Sequence, residues 1–262
     1  AHALAAYRSL AERIVLVSNS ARSLPLLLRP FVDTFVPRAN LGYDFGAWRA
    51  GLARLGAGDH DEVICVNDSV YGPLFDLSPA LADPRVAEAD LWGMVLSDQN
   101  TSRGAPRIPH VQSWFLALRR RLLESDACAE FWRETGRPAT KREIVERLEI
   151  GFSARMAAAG FRIAGLYDAT AAGRVGLREV WPHLSPRDPG RSWRLLRKSR
   201  RRPHNPAELV WWRLWDAGVP YLKVGLFRVN HYGLDLGRVL ADLRQRTTYP
   251  PALIHSHLAR CG

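Results

Sequence analysis

The chain has 262 residues, 47% of them apolar and 24% charged, which suits one large domain with a full core and excludes a disordered chain. Three cysteines in that length exclude a disulfide-built mini-protein. The formal charge of +11, with a pI near 10.3, points at first to nucleic acid, an anionic membrane surface or a phosphorylated substrate.

From the N-terminus, residues 3–13 carry a helical pattern with Leu4, Tyr7, Leu10 and Ala11 on one face. The segment RIVLVSNS (13–20) reads as a buried strand that ends in a polar turn. A Pro-bounded helix is expected at 22–30, and FVDTFVPRAN (31–40) reads as a short strand running into a loop. WRAGLARLGAG (48–58) predicts a helix stopped by Gly56 and Gly58. DEVICVNDSVYGP (61–73) is a strand pattern: an apolar run, a polar pair and a Gly-Pro stop. This alternation of helix and strand predicts an α/β fold with a parallel sheet. Ligands in such sheets bind beyond the carboxyl ends of the strands, where Ser18, Asn19, Asn67 and Asp68 stand.

In the second half, DLWGMVLSDQ (90–99) predicts another strand and HVQSWFLALRRRLLES (110–125) an amphipathic helix. Residues 141–160 predict a long helix closed by Gly160. Residues 176–193 read as a Pro-rich loop, and the linker-like stretch 184–206 as a loop within a single domain spanning 1–262. Residues 205–218 predict a helix that starts at Asn205-Pro206, and 219–230 a strand or extended segment. The charge is concentrated: 187–204 holds eight Lys/Arg against Asp188, a net +7, which leaves +4 for the rest. One basic patch, with no helix-turn-helix, zinc or RNA-platform signature, argues against nucleic acid as a partner.

Cys65 sits in an apolar run and is expected in the core, as suits a reducing cytoplasm. No apolar run approaches the ~18 residues that span a bilayer. The opening AHALAAYRSLAER is neither a signal nor a transit peptide, and without an initiator Met the chain is expected to be an excerpt of a longer protein.

Four clusters carry candidate chemistry. Asn67-Asp68-Ser69 offers a carboxylate, an amide and a hydroxyl at a strand end, a setting for a hard divalent ion or for an ordinary capped turn. In NLGYDFGAW (40–48), Gly42 and Gly46 allow a tight turn or close approach. Asp44 there either caps the following helix or binds a ribose hydroxyl. Glu149, between apolar Leu148 and Ile150, is a candidate base or a surface residue of an amphipathic helix. His110, Gln112 and Ser113 open the expected helix and either cap it or hydrogen-bond a polyhydroxylated acceptor, with Trp114 as a platform for a sugar face.

The stretches NSxR, RANLGYDFGAWRAGL, VNDSVYGPL, LWGMVLS, HVQSWFLAL, NPAELVWWRL and PYLKVGLFRVN together resemble the rhamnan synthesis protein F family, bacterial glycosyltransferases of surface-polysaccharide assembly, over about residues 7–232. They are similar, more loosely, to the GT-A glycosyltransferase pattern. That pattern implies a Rossmann-type, mainly parallel sheet flanked by helices, with a first strand expected upstream of Ala1. It places Asn19 at the nucleotide, Asn40 and Gly42 in the loop before a helix, and Asn67-Asp68-Ser69 at an Asp-x-Asp metal motif thinned to one carboxylate. Aligning Arg155 and Gly160 with its last motif puts Glu149 at the base and Leu148 at the neighbouring carboxylate position.

The resemblance therefore implies transfer of rhamnose or a related deoxyhexose from a nucleoside-diphosphate sugar, dTDP-rhamnose or a GDP-linked sugar, to a growing glycan, with inversion. Residues 1–100 would form the nucleotide-sugar half and 101–262 the acceptor half. Donor contacts would come from Asn19, Asn40, Gly42, Asp44, Asn67 and Ser69, and acceptor contacts from His110, Gln112, Ser113 and Trp114. Asp68 would hold Mg or Mn, and Glu149 would take the acceptor proton. The acceptor is expected to be lipid-linked at the inner face of the plasma membrane, with 187–204 against anionic headgroups. The competing expectation is a non-catalytic carbohydrate- or nucleotide-binding module, favoured by the thinned metal motif.

Overall fold

The computed structural model describes residues 1–99, 106–135, 140–173, 175–199 and 204–261. The apolar run that follows the first helix (His2–Arg8) forms β1 (Val15–Ser18), which pairs in parallel with β2 (Thr34–Pro37). Between them lies a 3-10 helix, Leu26–Phe31, with Pro30 inside it. The helix Tyr43–Leu55 follows, starting before the expected Trp48 because the turn signal lies at Gly42, which is left-handed with φ 78°. Gly46 inside that helix is not a breaker: a Cβ there would run into the Leu41 carbonyl oxygen, so the close approach needs glycine.

The expected 61–73 strand divides into β3 (Glu62–Val66) and β4 (Val70–Tyr71) at the Asn67-Asp68-Ser69 turn. The chain then forms β5 (Leu91–Ser97), β6 (His110–Val111) and β7 (Phe115–Arg119). Here the structure overturns the helix expected at 110–125. Phe115 and Ala117 face one core layer, Leu116 and Leu118 the other, and none of the four is more than 1% exposed. A run apolar on both faces has no stripe, and the helix propensity of Leu and Ala yields to burial between two strands. A helix is left only at Arg120–Leu123.

The later strands are β8 (Ile163–Asp168) and β9 (Leu222–Lys223). β7 lies antiparallel between β3 and β5, while β8 runs parallel along the other side of β5. The central sheet is therefore mixed, not mainly parallel as the helix–strand alternation implies, because residues 110–119 enter it as a hairpin-like insertion. β4 pairs antiparallel with β9 in a separate ribbon.

The mixed sheet is covered on both faces. One layer holds Trp92, Met94 and Phe115 with the Trp211–Asp216 helix; the other holds Phe45, Trp48, Leu116, Phe131 and Phe152. Each fully buried side chain of this size contributes about 1.5–3 kcal/mol.

Residues 176–199 are not a loop. They contain helices Leu177–Val180 and Pro189–Ser199, joined through the 3-10 turn Trp181–His183. Pro189 stands at the start of its helix, where its missing N–H costs nothing. Ser192 fastens that helix through a bond from Oγ to the Gly233 carbonyl oxygen, and Trp193 is 42% exposed. Arg200, Arg201 and Arg202 of the basic stretch lie outside the described residues. The strand or extended segment expected at 219–230 ends at β9, and the helix Val224–Arg228 follows. The helices Leu236–Arg246 and Pro251–Cys261 close the chain.

Candidate active site

The site is built where β5 gives up one neighbour and takes another. Leu91 of β5 faces Leu118 of β7, and Leu96 faces Val111 of β6. The β6–β7 side holds two more residues than β5 between those pairs, so Gln112, Ser113 and Trp114 form a bulge. A bulge of this kind re-aims side chains at the edge of a site. Gly93 makes it possible, since a Cβ there would strike the Phe115 carbonyl oxygen and the Val111 side chain.

The bulge aims Ser113 at Glu149. The Ser113 N–H donates to Glu149 Oε2 at 3.0 Å, and its hydroxyl donates to the same oxygen. Glu149 sits in a π-helical stretch, Ile144–Ile150, inside the expected 141–160 helix, an irregularity common at functional positions. Its neighbours Leu148 and Ile150 are buried, while its own side chain is 18% exposed. The other oxygen, Oε1, lies 3.7 Å from Nε2 of buried His110. His110 Nδ1 donates to the Ile108 carbonyl at 2.8 Å, which directs Nε2 towards Glu149. The Val111 N–H donates to Ser153 Oγ at 3.1 Å and ties β6 to the helix that carries Glu149.

The second cluster is the turn after β3. Asn67 Oδ1 accepts from the Ser69 N–H at 3.0 Å and from Ser69 Oγ at 2.6 Å, so Asn67 rather than Asp68 makes the turn. Asn67 Nδ2 donates to Asp44 Oδ2 at 2.9 Å. The bond of Asp44 thus reaches across the site, and the helix Tyr43–Leu55 begins at Gly42 without a side-chain cap. The expected cap role of Asp44 does not hold. Burial raises the Asp44 carboxyl above its usual range; the bond from Asn67 opposes this, Asp68 adds to it, Lys223 opposes it and Glu149 adds to it. Asp68, Lys223 and Glu149 are thus the three charges that bear on Asp44. Asp68 is exposed.

The other expected residues are placed as follows. Gln112 and Trp114 are buried: Gln112 Oε1 accepts from Trp114 Nε1 at 2.9 Å, and Gln112 Nε2 donates to Asn205 Oδ1 at 3.0 Å. They hold the bulge. Trp114 packs edge-on to Tyr221, so its ring is a core surface and not an open platform. His110, Gln112 and Ser113 do not open a helix; they belong to β6 and its bulge. Asn205 does cap its helix, bonding the Ala207 N–H. Asn19, beyond β1, accepts from Arg38 at 2.8 Å, and Asn40 is exposed in the loop before Gly42.

Sequence reasoning missed Lys223. Its Nζ donates to Ser69 Oγ at 2.9 Å and lies 5.5 Å from the centre of the Trp114 ring. The available signal was its residue type: three of the 37 basic residues are lysines.

A divalent ion is the cofactor that the resemblance implies. Asp68 would be its one carboxylate ligand in the turn. Asn67 Oδ1 already accepts two bonds, and Ser69 Oγ faces an ammonium. No group of three His, Cys, Asp or Glu side chains able to hold a metal occurs among the described residues. These residues do not by themselves fit a resident cation, and no step below passes through one.

The chain matches the model of a family described as rhamnan synthesis protein F over residues 14–180, more than half its length. It is 27% identical over 142 residues to the uncharacterized protein y4gN of Sinorhizobium fredii, covering 53% of this chain and 36% of that one. It is 25% identical over 208 residues to virulence protein VirA of Vibrio anguillarum, covering 77% and 64% respectively. The chain thus spans less than two thirds of the length of either curated relative. No solved structure gives a significant match. No helix among the described residues is long and apolar enough to cross a membrane.

Proposed function

The chain belongs to the rhamnan synthesis protein F family, and from that premise we propose that it is a GT-A-like glycosyltransferase of polysaccharide synthesis. It would move rhamnose or a related deoxyhexose from a nucleoside-diphosphate sugar to a growing glycan. The observation that carries this reading is a carboxylate fixed by Ser113, taken with a polar turn of Asn67, Asp68 and Ser69 joined to Asp44.

In this mechanism Glu149 is the base. Two donors from Ser113 hold Oε2, and Oε1, which faces His110 Nε2, would take the proton of the acceptor hydroxyl. The acceptor oxygen forms the bond to the anomeric carbon as its proton passes to Glu149. The bond from that carbon to the diphosphate oxygen breaks, and its electron pair leaves with the diphosphate. One base opposite the leaving group gives inversion without a covalent intermediate. Asp44 and the Asn67–Ser69 turn would bind the donor, with Asn19, Asn40 and Gly42 towards its nucleotide.

The acceptor in this reading is a lipid-linked glycan. The helix Pro189–Ser199 supports contact with anionic headgroups, because it carries Arg191, Arg194 and Arg197 beside exposed Trp193. The second reading, a binding module without turnover, is favoured by the single carboxylate of the turn. A donor screen decides between them: release of nucleoside diphosphate from dTDP- or GDP-linked sugars on addition of glycan acceptor supports the enzyme. Binding of nucleotide or glycan without release supports the module.

A further inference from the structure

We propose that His110 is a positioning residue whose bare Nε2 accepts a hydrogen bond from Glu149 once Glu149 has taken the acceptor proton, a role that rests on the glycosyl-transfer reading above. A carbonyl oxygen can only accept, so the 2.8 Å contact with the Ile108 carbonyl puts a ring proton on Nδ1 of His110. A neutral ring then has an unprotonated Nε2, and that nitrogen faces Glu149 Oε1 across 3.7 Å. The gap is longer than a hydrogen bond. An imidazolium would have an N–H to give there, and such charge-assisted bonds close to about 2.7–2.9 Å. The resting pair is therefore a neutral imidazole beside a carboxylate, with no proton between them.

The other side of the carboxylate is filled. Oε2 accepts from the Ser113 N–H and hydroxyl, so an arriving proton is left with Oε1. The His110 side chain is 2% exposed and that of Glu149 18%, so His110 acts through Glu149 and not on the acceptor itself. In the transfer, the acceptor O–H bond breaks and its electron pair goes to the anomeric carbon. The proton forms the Oε1–H bond, and that O–H donates to Nε2, which closes the gap. Carboxyl and ring both end neutral, so no unpaired charge is left beside a buried ring. A bond of this kind favours the protonated carboxyl, the form that the transfer creates. The frame holds the two groups to this approach without their own contact. His110 lies opposite Ser97 of β5, and the Val111 N–H bonds Ser153 on the helix that continues from Glu149.

The test has two arms. Nitrogen NMR of the whole protein with ring-labelled histidine, near neutral pH, is expected to show His110 with a protonated Nδ1 and a bare Nε2. A protonated Nε2 overturns the proposal. The second arm measures acceptor-dependent release of nucleoside diphosphate from dTDP- or GDP-linked sugars by His110→Asn, whose amide can keep the bond to Ile108 and leaves the place of Nε2 empty. The expected kcat is lower by about 10- to 100-fold. The acceptor KM and melting temperature stay within error, and His110→Asn added to Glu149→Gln causes no further loss. Unchanged kcat in His110→Asn overturns the proposal and leaves the glycosyl-transfer reading standing. A raised acceptor KM with kcat kept, or a further loss on top of Glu149→Gln, also overturns it, since either places His110 outside the path of the Glu149 proton. Should His110→Asn fail to fold, the nitrogen spectrum of the wild type decides. A wild type that releases no nucleoside diphosphate removes the glycosyl-transfer reading, and this role with it.

Discussion

The Ser113 N–H donates to Glu149 Oε2 at 3.0 Å, across 36 positions of sequence. The bond joins the sheet bulge to the π-helical stretch, so the position of the carboxylate is set by two irregular segments at once. Backbone irregularity that a regular strand or helix would not tolerate is here what aims the groups.

Gly93→Ala tests the bulge. The added methyl meets the Phe115 carbonyl and Val111, and overpacking of this kind costs about 1–3 kcal/mol. Urea unfolding is expected to show that loss. Wild-type stability in Gly93→Ala would mean that the chain at 112–114 does not follow this course.

The cysteines test the two-faced sheet. Burial pushes the Cys65 thiol up to about 12 and the Cys128 thiol up to about 11. Neither forms appreciable thiolate at pH 8 in the folded protein. Iodoacetamide followed by peptide mass mapping is expected to leave both unmodified until denaturant is added. Rapid labelling of Cys65 in native buffer would contradict its place in β3.

These outcomes bear on what the sequence made legible. β1, β2, β3 and β5 could be read because each is an apolar run closed by polar or turn residues. β7 could not, because Leu116 and Ala117 are helix formers whose strand state comes only from β3 and β5 beside them. β8 was missed as well: Gly165 reads as a weak point, yet it is required where Leu96 of β5 passes close by. Pro189 reads as a loop signal but starts a helix, whereas Asn205-Pro206 is legible as the helix start that it is. In the site, Asp44, Asn67, Asp68 and Ser113 are visible as residue types at the ends of expected elements, and Glu149 inside an expected helix. Their pairing is not, since Asn67 meets Asp44 across 23 positions and Lys223 meets Ser69 across 154.

Asp44 gives a pH signature. Its carboxyl is raised mainly by burial, so the folded state holds this proton to higher pH than the unfolded state does. Between the unfolded value and the raised folded value the native protein binds more protons, and its stability falls as pH rises through that window. Asp44→Asn removes the titration. Stability measured by urea from pH 3.5 to 6.5 (a range of about three units from the reference carboxylate value) is expected to favour the wild type least at the upper end. A difference that moves the other way with pH would contradict a buried, disfavoured carboxylate.

The helix Pro189–Ser199 predicts binding to anionic surfaces. Sedimentation with phosphatidylglycerol vesicles at low salt is expected to exceed that with phosphatidylcholine and to fall as salt screens the charge. Trp193→Ala is expected to weaken it further, because the exposed ring supplies the apolar part of the contact. Equal sedimentation with both lipids would contradict the assignment.

The most direct measurement is acceptor-dependent release of nucleoside diphosphate by the wild type and Glu149→Gln, with binding of the same nucleoside diphosphate measured alongside. The amide keeps the size of the side chain and can still accept from Ser113, but cannot take a proton. Loss of a general base lowers turnover by about 10²–10⁴-fold. The account predicts a fall in that range with nucleotide binding and folding intact; full turnover by a folded Glu149→Gln would contradict it.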